Sequence, residues 1–361
     1  MRIAVCGNLK DNAPVWDGMP AEQWDDLDNP KTIKYLVEAL ESLGHKAEFF
    51  EGRIDMPFDL AGKLVAFGPD LCFNIAEGHL GDSRESHVPA VLEMLRIPYT
   101  ASRVLALAAT LDKPLTKRIL HYHGLPTPEF QVFDHPDEEI YDDLADGGDL
   151  RFPLFLKPSR EGTGVGVSAK SIVNTVSELR EVLSDMLARY RQPILCERYI
   201  KGRELTVGFI GNLKPFAARR LNDRTAPEVL PPELTFFPAM EVNLHEYGES
   251  EAGLYTNKAK TDLAEDFHFT CPANISAELL DELQRLSAAV FRVMGCSDVS
   301  RVDFRLDGDD SDKPYILEIN ALPGLNKDYS DLPLEAYAGG WTFEQLVDGI
   351  VRAATERWGI G

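Results

Sequence analysis

The run Ser300–Leu325, SRVDFRLDGDDSDKPYILEINALPGL, decides how the rest of the chain is read. Val302, Phe304 and Leu306 alternate with Arg301, Asp303 and Arg305, and a period of two gives a strand one apolar and one polar face. After the turn-forming Asp-Gly-Asp-Asp-Ser-Asp-Lys-Pro, Tyr315, Leu317 and Ile319 alternate with Ile316, Glu318 and Asn320, so the simplest expectation is an antiparallel hairpin. A hairpin symmetric about Asp310 and Ser311 sets Asp303 opposite Glu318 and Arg301 opposite Asn320, all on one face. Carboxylates directly across a ladder repel, and two of them beside an amide oxygen invite a hard cation such as magnesium or manganese rather than zinc. The same residues also describe a solvated polar face. Asp307, Asp309 and Glu318 echo a calcium loop, but Asp312 stands where such a loop needs glycine.

A chain of 361 residues holds two or three domains, and its 44% hydrophobic and 27% charged residues are those of a globular protein. Fifty-nine acidic against 37 basic residues give a net charge of -22, which opposes binding to nucleic acid or an anionic membrane. There is no charged-then-apolar leader and no apolar run of the roughly 20 residues that span a bilayer, so the expected location is the cytoplasm. Cys6, Cys72, Cys196, Cys271 and Cys296 are spread without zinc or redox spacing and read as buried free thiols.

From the N-terminus, strands at Ile3–Cys6, Ala47–Phe50 and Leu71–Ile75 alternate with helices near Ile33–Leu43, Leu60–Phe67 and Val88–Leu95, the pattern of a small doubly wound parallel sheet. It contains neither G-x-G-x-x-G nor G-x-x-x-x-G-K-[ST]. A helix between Ser102 and Glu129 is introduced by Asp112 as cap, and His121 and His123 in it point in different directions, as a surface pair. Phe152–Lys157 is a buried strand followed by Pro-Ser-Arg-Glu-Gly-Thr-Gly-Val-Gly-Val, whose alternate glycines free backbone amides to close over phosphates. The run Val165–Ala169 then reads as extended, which suggests a hairpin lid; a plain tight hairpin has the same glycines. Further on, Ile172–Tyr190 is a helix, Ile194–Tyr199 a strand carrying Glu197, and Glu204 opens another. Lys258 and Lys260 sit in a polar loop, and Phe343–Thr355 is a terminal helix with core positions Leu346, Ile350 and Val351.

Read together, Leu111-Asp112-Lys113, Leu156–Gly162, Cys196–Tyr199, Arg301-Val302-Asp303 and Glu318-Ile319-Asn320 resemble the ATP-grasp superfamily, most closely its D-alanine-D-alanine ligases, over about residues 74–357. The resemblance implies an α/β (α+β) ATP-grasp fold, with an N-terminal doubly wound domain over 1–100, a central lid subdomain over 101–195 and a C-terminal subdomain with the metal site over 196–361. It implies that ATP lies between the last two. Lys113 and Lys157 would bind phosphates, with Thr163 in the same nucleotide site. Glu197, Arg198 and the backbone near Ile200 would hold adenine, Glu204 the ribose hydroxyls, and Leu317 would pack on the base. Lys260 would reach the terminal phosphate, Asp303, Glu318 and Asn320 would bind Mg2+ or Mn2+, and Arg301 with the Gly324 backbone would face the developing oxyanion.

The implied reaction turns a carboxylate into an acyl phosphate that an amine then displaces, which needs no protein nucleophile. Small amino-acid-like substrates and a homodimer go with it. The family's glutamate for the first substrate's ammonium is missing from Gly7–Asn12, which leaves Glu77 as the candidate beside the alternative of an exposed loop acid. Thr261 replaces a tyrosine, and the serine for the second substrate falls at Tyr329 or Ser330. A ligase for other acids and amines, a small-molecule kinase, and a nucleotide-binding regulator are the rival readings.

Overall fold

The computed structural model describes residues 1–53, 55–141, 144, 148–214, 233–243 and 269–360. Its N-terminal unit is a parallel sheet of order β2-β1-β3, formed by β1 (Arg2–Gly7), β2 (Lys46–Glu51) and β3 (Leu71–Asn74). Ile3 to Cys6 are all fully buried because helices cover both faces, as parallel sheets require. On one side Ile3 and Val5 meet α1 (Pro30–Ser42); on the other Ala4 and Cys6 meet α2 (Pro57–Phe67) and α3 (His87–Leu95).

The helical stretch expected between Ser102 and Glu129 is two helices, α4 (Val104–Leu111) and α5 (Lys113–Tyr122). Asp112 separates them: its carboxylate accepts from the Leu115 amide at 2.8 Å and so caps α5. A second, antiparallel sheet has order β4-β7-β5-β6, from β4 (Phe130–Phe133), β5 (Leu154–Pro158), β6 (Ile172–Val173) and β7 (Ile194–Arg198), with α6 (Val176–Tyr190) packed on it. The glycine loop joins the paired strands β5 and β6, but the extended run expected at Val165–Ala169 is turn and 3-10 helix instead. Gly166 explains the turn: at φ +78 a Cβ there would lie 2.7 Å from Pro158.

The third sheet has order β11-β10-β8-β12-β13, with β9 on β8. Its strands are β8 (Glu204–Gly211), β9 (Leu234–Phe236), β10 (Met240–Val242), β11 (Phe269–Thr270), β12 (Val299–Asp307) and β13 (Lys313–Asn320). Val302, Phe304 and Leu306 pack against α7 (Ala277–Met294) and also against Leu107 and Leu120 of α4 and α5. Those two helices therefore share the core of the third sheet, and the division expected after residue 195 falls inside β7. Past α8 (Asp331–Ala338), the terminal α9 (Phe343–Trp358) returns to the first sheet, where Leu346, Ile350 and Val351 join Ile3, Val5 and Leu36. Among the described residues no helix is long and apolar enough to cross a membrane.

Candidate functional site

The hairpin of β12 and β13 pairs Asp303 with Glu318 and Arg301 with Asn320 as expected, but the symmetry ends there. Phe304 pairs with Ile316, so Leu317 is an extra residue, a β-bulge. Strict alternation would have set Leu317 and Ile319 on the core face with Ile316 outside. The bulge lets Ile316 and Ile319 both enter the core while Leu317 and Glu318 both line a slot beneath the second sheet. That slot, about 100 Å³, is bounded by Phe155, Lys157 and Val165 from the second sheet and its loop, and by Val242, Leu317 and Glu204 from the third.

The polar face of β12 is not solvated. Asp303 is 9% exposed and accepts hydrogen bonds from Arg301 Nε at 2.9 Å and Nη2 at 3.0 Å, Thr206 Oγ1 at 2.7 Å and Asn320 Nδ2 at 2.8 Å. Arg301 also pairs with Asp331 at 3.0 Å. Burial opposes its charge, yet Asp303 and Asp331 outweigh that and raise its pKa well above the usual guanidinium value. Across the slot Lys113, the first residue of α5, donates to the Glu161 carbonyl at 2.6 Å and pairs with Glu318 at 3.3 Å.

Glu197 is buried between two lysines, 2.9 Å from Lys157 and 2.6 Å from Lys117. Desolvation pushes its carboxyl up, but Lys117 and Lys157 more than reverse this and hold it below its ordinary value. Lys117 is fully buried, and desolvation lowers its pKa despite Glu197. It escaped the sequence reading; the signal was its place one turn beyond Lys113 on the same helix face.

Of the other expected nucleotide residues, Glu204 lines the slot, whereas Arg198 and Ile200 do not border it. Glu204 pairs with Arg305 at 2.8 Å, and Arg198 with Asp307 at 2.8 Å while stacking over Tyr315. Ile200 is buried in the link between β7 and β8. Lys260 lies outside the described residues.

A larger cavity of about 620 Å³ adjoins the slot, and Lys113, Arg301 and Glu318 border both. Thr163, Gly324, Tyr329 and Ser330 line it, and a Cβ on Gly324 would meet Ser330 Oγ at 3.0 Å. Tyr329 is half exposed, its hydroxyl 3.4 Å from Asn29. Glu77 lines the cavity too, so it is not a free loop acid. Its neighbours are the residues missed in the sequence. The link from β1 to α1 runs to Asn29, well beyond Asn12, and brings Asp25 and Asp26 to the cavity; Glu85 and Glu161 complete the group. Buried Arg84 pairs with Asp26 and lies 3.8 Å from Glu77 and 3.9 Å from Glu161. Burial followed by the charge of Glu85 raises the Glu77 carboxyl well above its usual range, and burial pushes Glu85 to about 7.

A divalent cation suits the donors at the hairpin: Asp303, Glu318 and Asn320 offer hard oxygens on opposed strand positions, and Arg301 and Lys113 already mark the place as one that demands positive charge. Among the described residues no three His, Cys, Asp or Glu side chains converge as metal ligands, so any such ion relies on the amide as well.

Comparison with known proteins matches residues 119–228 and 234–352 to the family model described as D-ala D-ala ligase C-terminus. An uncharacterized protein of Sinorhizobium fredii is 34% identical, over 90% of this chain and 87% of its own. A D-alanine--D-alanine ligase of Cupriavidus pinatubonensis is 32% identical over 89% of this chain and 85% of its own. Among solved structures, the D-alanine--D-alanine ligase of Bacillus anthracis complexed with ATP superposes with a TM-score of 0.69 at 23% identity, covering 99% of this chain and 98% of that one. The Coxiella burnetii enzyme gives 0.68 at 19% identity, covering 99% and 94%. At these identities the structural likeness speaks for the fold.

Proposed function

The chain belongs to the D-alanine-D-alanine ligase family of ATP-grasp enzymes and is an ATP-dependent, ADP-forming ligase; from that premise we propose that it joins two small amino acids of the D-alanine type through an acyl phosphate, in the cytoplasm and as a homodimer. The observation that carries this reading is the convergence of Lys113, Lys157, Arg301, Asp303 and Glu318 on one cleft beside the glycine loop. In the proposed first step the carboxylate of one substrate attacks the terminal phosphorus of ATP, and ADP leaves. The amine of the second, having lost its ammonium proton, then attacks the acyl carbon, its nitrogen sheds a further proton to solvent, and phosphate departs with the bonding pair.

Little covalent work falls to the protein, so its share is alignment and charge. Lys113 and Lys157 oppose phosphate charge, and Thr163 and the loop amides cover the terminal phosphate, for which Lys260 is the further lysine that the family resemblance implies. Leu317 packs on the base, Glu204 takes the ribose, and Glu197, Arg198 and the Ile200 backbone frame adenine. Arg301 and the Gly324 amide face the oxyanion, Glu77 takes the first ammonium, and Tyr329 or Ser330 the second carboxylate. Asp303, Glu318 and Asn320 would hold Mg2+, which when bound neutralises phosphate charge as a Lewis acid.

The test is incubation with ATP, magnesium and pools of D- and L-amino acids, reading phosphate release and product mass. Amine-dependent release with a condensed product is expected. A phosphorylated hydroxyl compound, or no turnover, overturns the proposal. Light scattering decides the dimer.

A further inference from the structure

Lys117 is fully buried on α5 and borders neither the slot nor the larger cavity, so it meets no ligand in either. Its Nζ pairs with Glu197 Oε2 at 2.6 Å and donates to Thr127 Oγ1 at 2.8 Å. The Thr127 hydroxyl gives its one proton to the Ile316 carbonyl at 2.9 Å, so its oxygen faces Lys117 as an acceptor. Glu197 Oε1 takes the Lys157 ammonium at 2.9 Å, and Lys157 does line the slot. A row of three charges therefore leads back from the slot wall: Lys157, Glu197, Lys117.

Packing alone does not call for a lysine at its inner end. An ammonium out of water is costly, and an apolar side chain of similar length would fill the same space. What the lysine changes is the balance of charge. Glu197 and Lys157 alone would be a closed, neutral pair. With Lys117 on the other oxygen, two ammoniums share one carboxylate and one positive charge is left over. Glu318 and Glu204, which also act on Lys157, already pair with Lys113 and Arg305. Of the two lysines only Lys157 reaches the slot, so the excess charge is presented there, to an anion.

We propose that Lys117 is a positioning residue for the nucleotide: held by Thr127, it shares Glu197 and so leaves the charge of Lys157 available to the phosphates of ATP. This rests on the reading of the slot as the nucleotide site and extends it to a residue that touches no part of the ligand.

The experiment is competition by ATP with magnesium, and by adenosine, against a fluorescent ATP analogue on the full chain, with melting followed in parallel. Adenosine has the base and ribose without phosphate, so the ratio of the two affinities isolates the phosphates. Lys117→Met should lower that ratio about tenfold, the scale of one partly screened charge. Adding Glu197→Gln removes the carboxylate that then neutralises Lys157 by itself, and the double variant should recover most of the ratio. A lysine that served packing alone would show no such rescue. Should Lys117→Met not fold, Lys117→Gln, which keeps a donor for Thr127 without the charge, gives the same reading. An unchanged ratio in a folded variant, or a double variant no better than the single, overturns the proposal and leaves the nucleotide reading standing. A parent chain that binds ATP no tighter than adenosine overturns both.

Discussion

The slot under the second sheet and the cavity beside it are both rich in buried charge, yet they solve the problem of burial in opposite ways. Around the slot every acid is paired with a base: Glu197 with Lys117 and Lys157, Glu204 with Arg305, Asp307 with Arg198, Asp303 and Asp331 both with Arg301, and Glu318 with Lys113. Around the cavity several acids share Arg84. The carboxyls respond accordingly, Glu197 held below its ordinary value and Glu77 and Glu85 pushed above it. A matched cleft keeps its carboxylates charged despite burial, whereas in an unmatched one burial drives them toward the neutral form.

The comparison breaks most sharply at Arg301. Removing one well-aimed oxyanion donor costs about 2.7–4 kcal/mol of barrier, a loss of roughly 10²–10³ in turnover. Arg301→Ala also strands Asp303 and Asp331 in the interior, so melting must be followed alongside steady-state kinetics. Arg301→Lys keeps the charge and loses the fork that grips Asp303; it should stay folded, bind ATP within a few-fold of the parent and still lose most of its turnover. Parent-like turnover in the lysine variant would remove Arg301 from the reaction.

A comparable effect, on stability instead of turnover, is expected for Glu197→Gln, which leaves two buried ammoniums against a neutral amide and should cost about 3–5 kcal/mol at neutral pH. The sign of its pH dependence follows from the depressed folded pKa. The carboxylate's contribution is present above the unfolded value of 4.5 and is lost as pH falls through the lower folded value, so variant and parent should converge in acid. Denaturation at pH 7 and pH 3.5 reads it; the same gap at both pH values (roughly two regimes on either side of the carboxyl range) would contradict the pairing.

Glu85→Gln should move the opposite way. Its folded pKa is raised to about 7 from 4.5, so its carboxyl favours the fold below 4.5 and that advantage disappears as pH climbs through 7. The variant should match its parent near the lower value and be more stable at alkaline pH, by up to about 3 kcal/mol, since a tenfold change in proton affinity is worth about 1.4 kcal/mol. A lower melting temperature for the variant at alkaline pH would mean that Glu85 is matched by a cation after all.

The matched half was legible in the sequence and the unmatched half largely was not, for reasons of distance along the chain. Asp303, Glu318, Arg301 and Asn320 lie on one hairpin, where a period of two fixes who faces whom. Asp26, Glu77, Glu85 and Glu161 come from a long link, a loop, a 3-10 turn and the glycine loop, and nothing local announces that they meet. Lys117 had a helical signal but looked like any solvated lysine until Glu197, 80 positions on, arrived beside it. The terminal helix showed its core stripe at Leu346 and Ile350 without revealing that the first sheet would receive it.

Leu317 is the smallest test and bears on how far alternation can be trusted. Read by period alone it is a core residue, and Leu317→Ala should then behave as a large-to-small core change costing about 2–5 kcal/mol. Set on a bulge and facing the slot, it has little core to lose. The variant should keep its stability within about 1 kcal/mol and instead weaken nucleotide binding by a few-fold, the share of one partly buried apolar contact. Melting and ATP titration together separate the two cases. A large drop in stability with unchanged ATP affinity would return Leu317 to the core and remove the reason for the bulge.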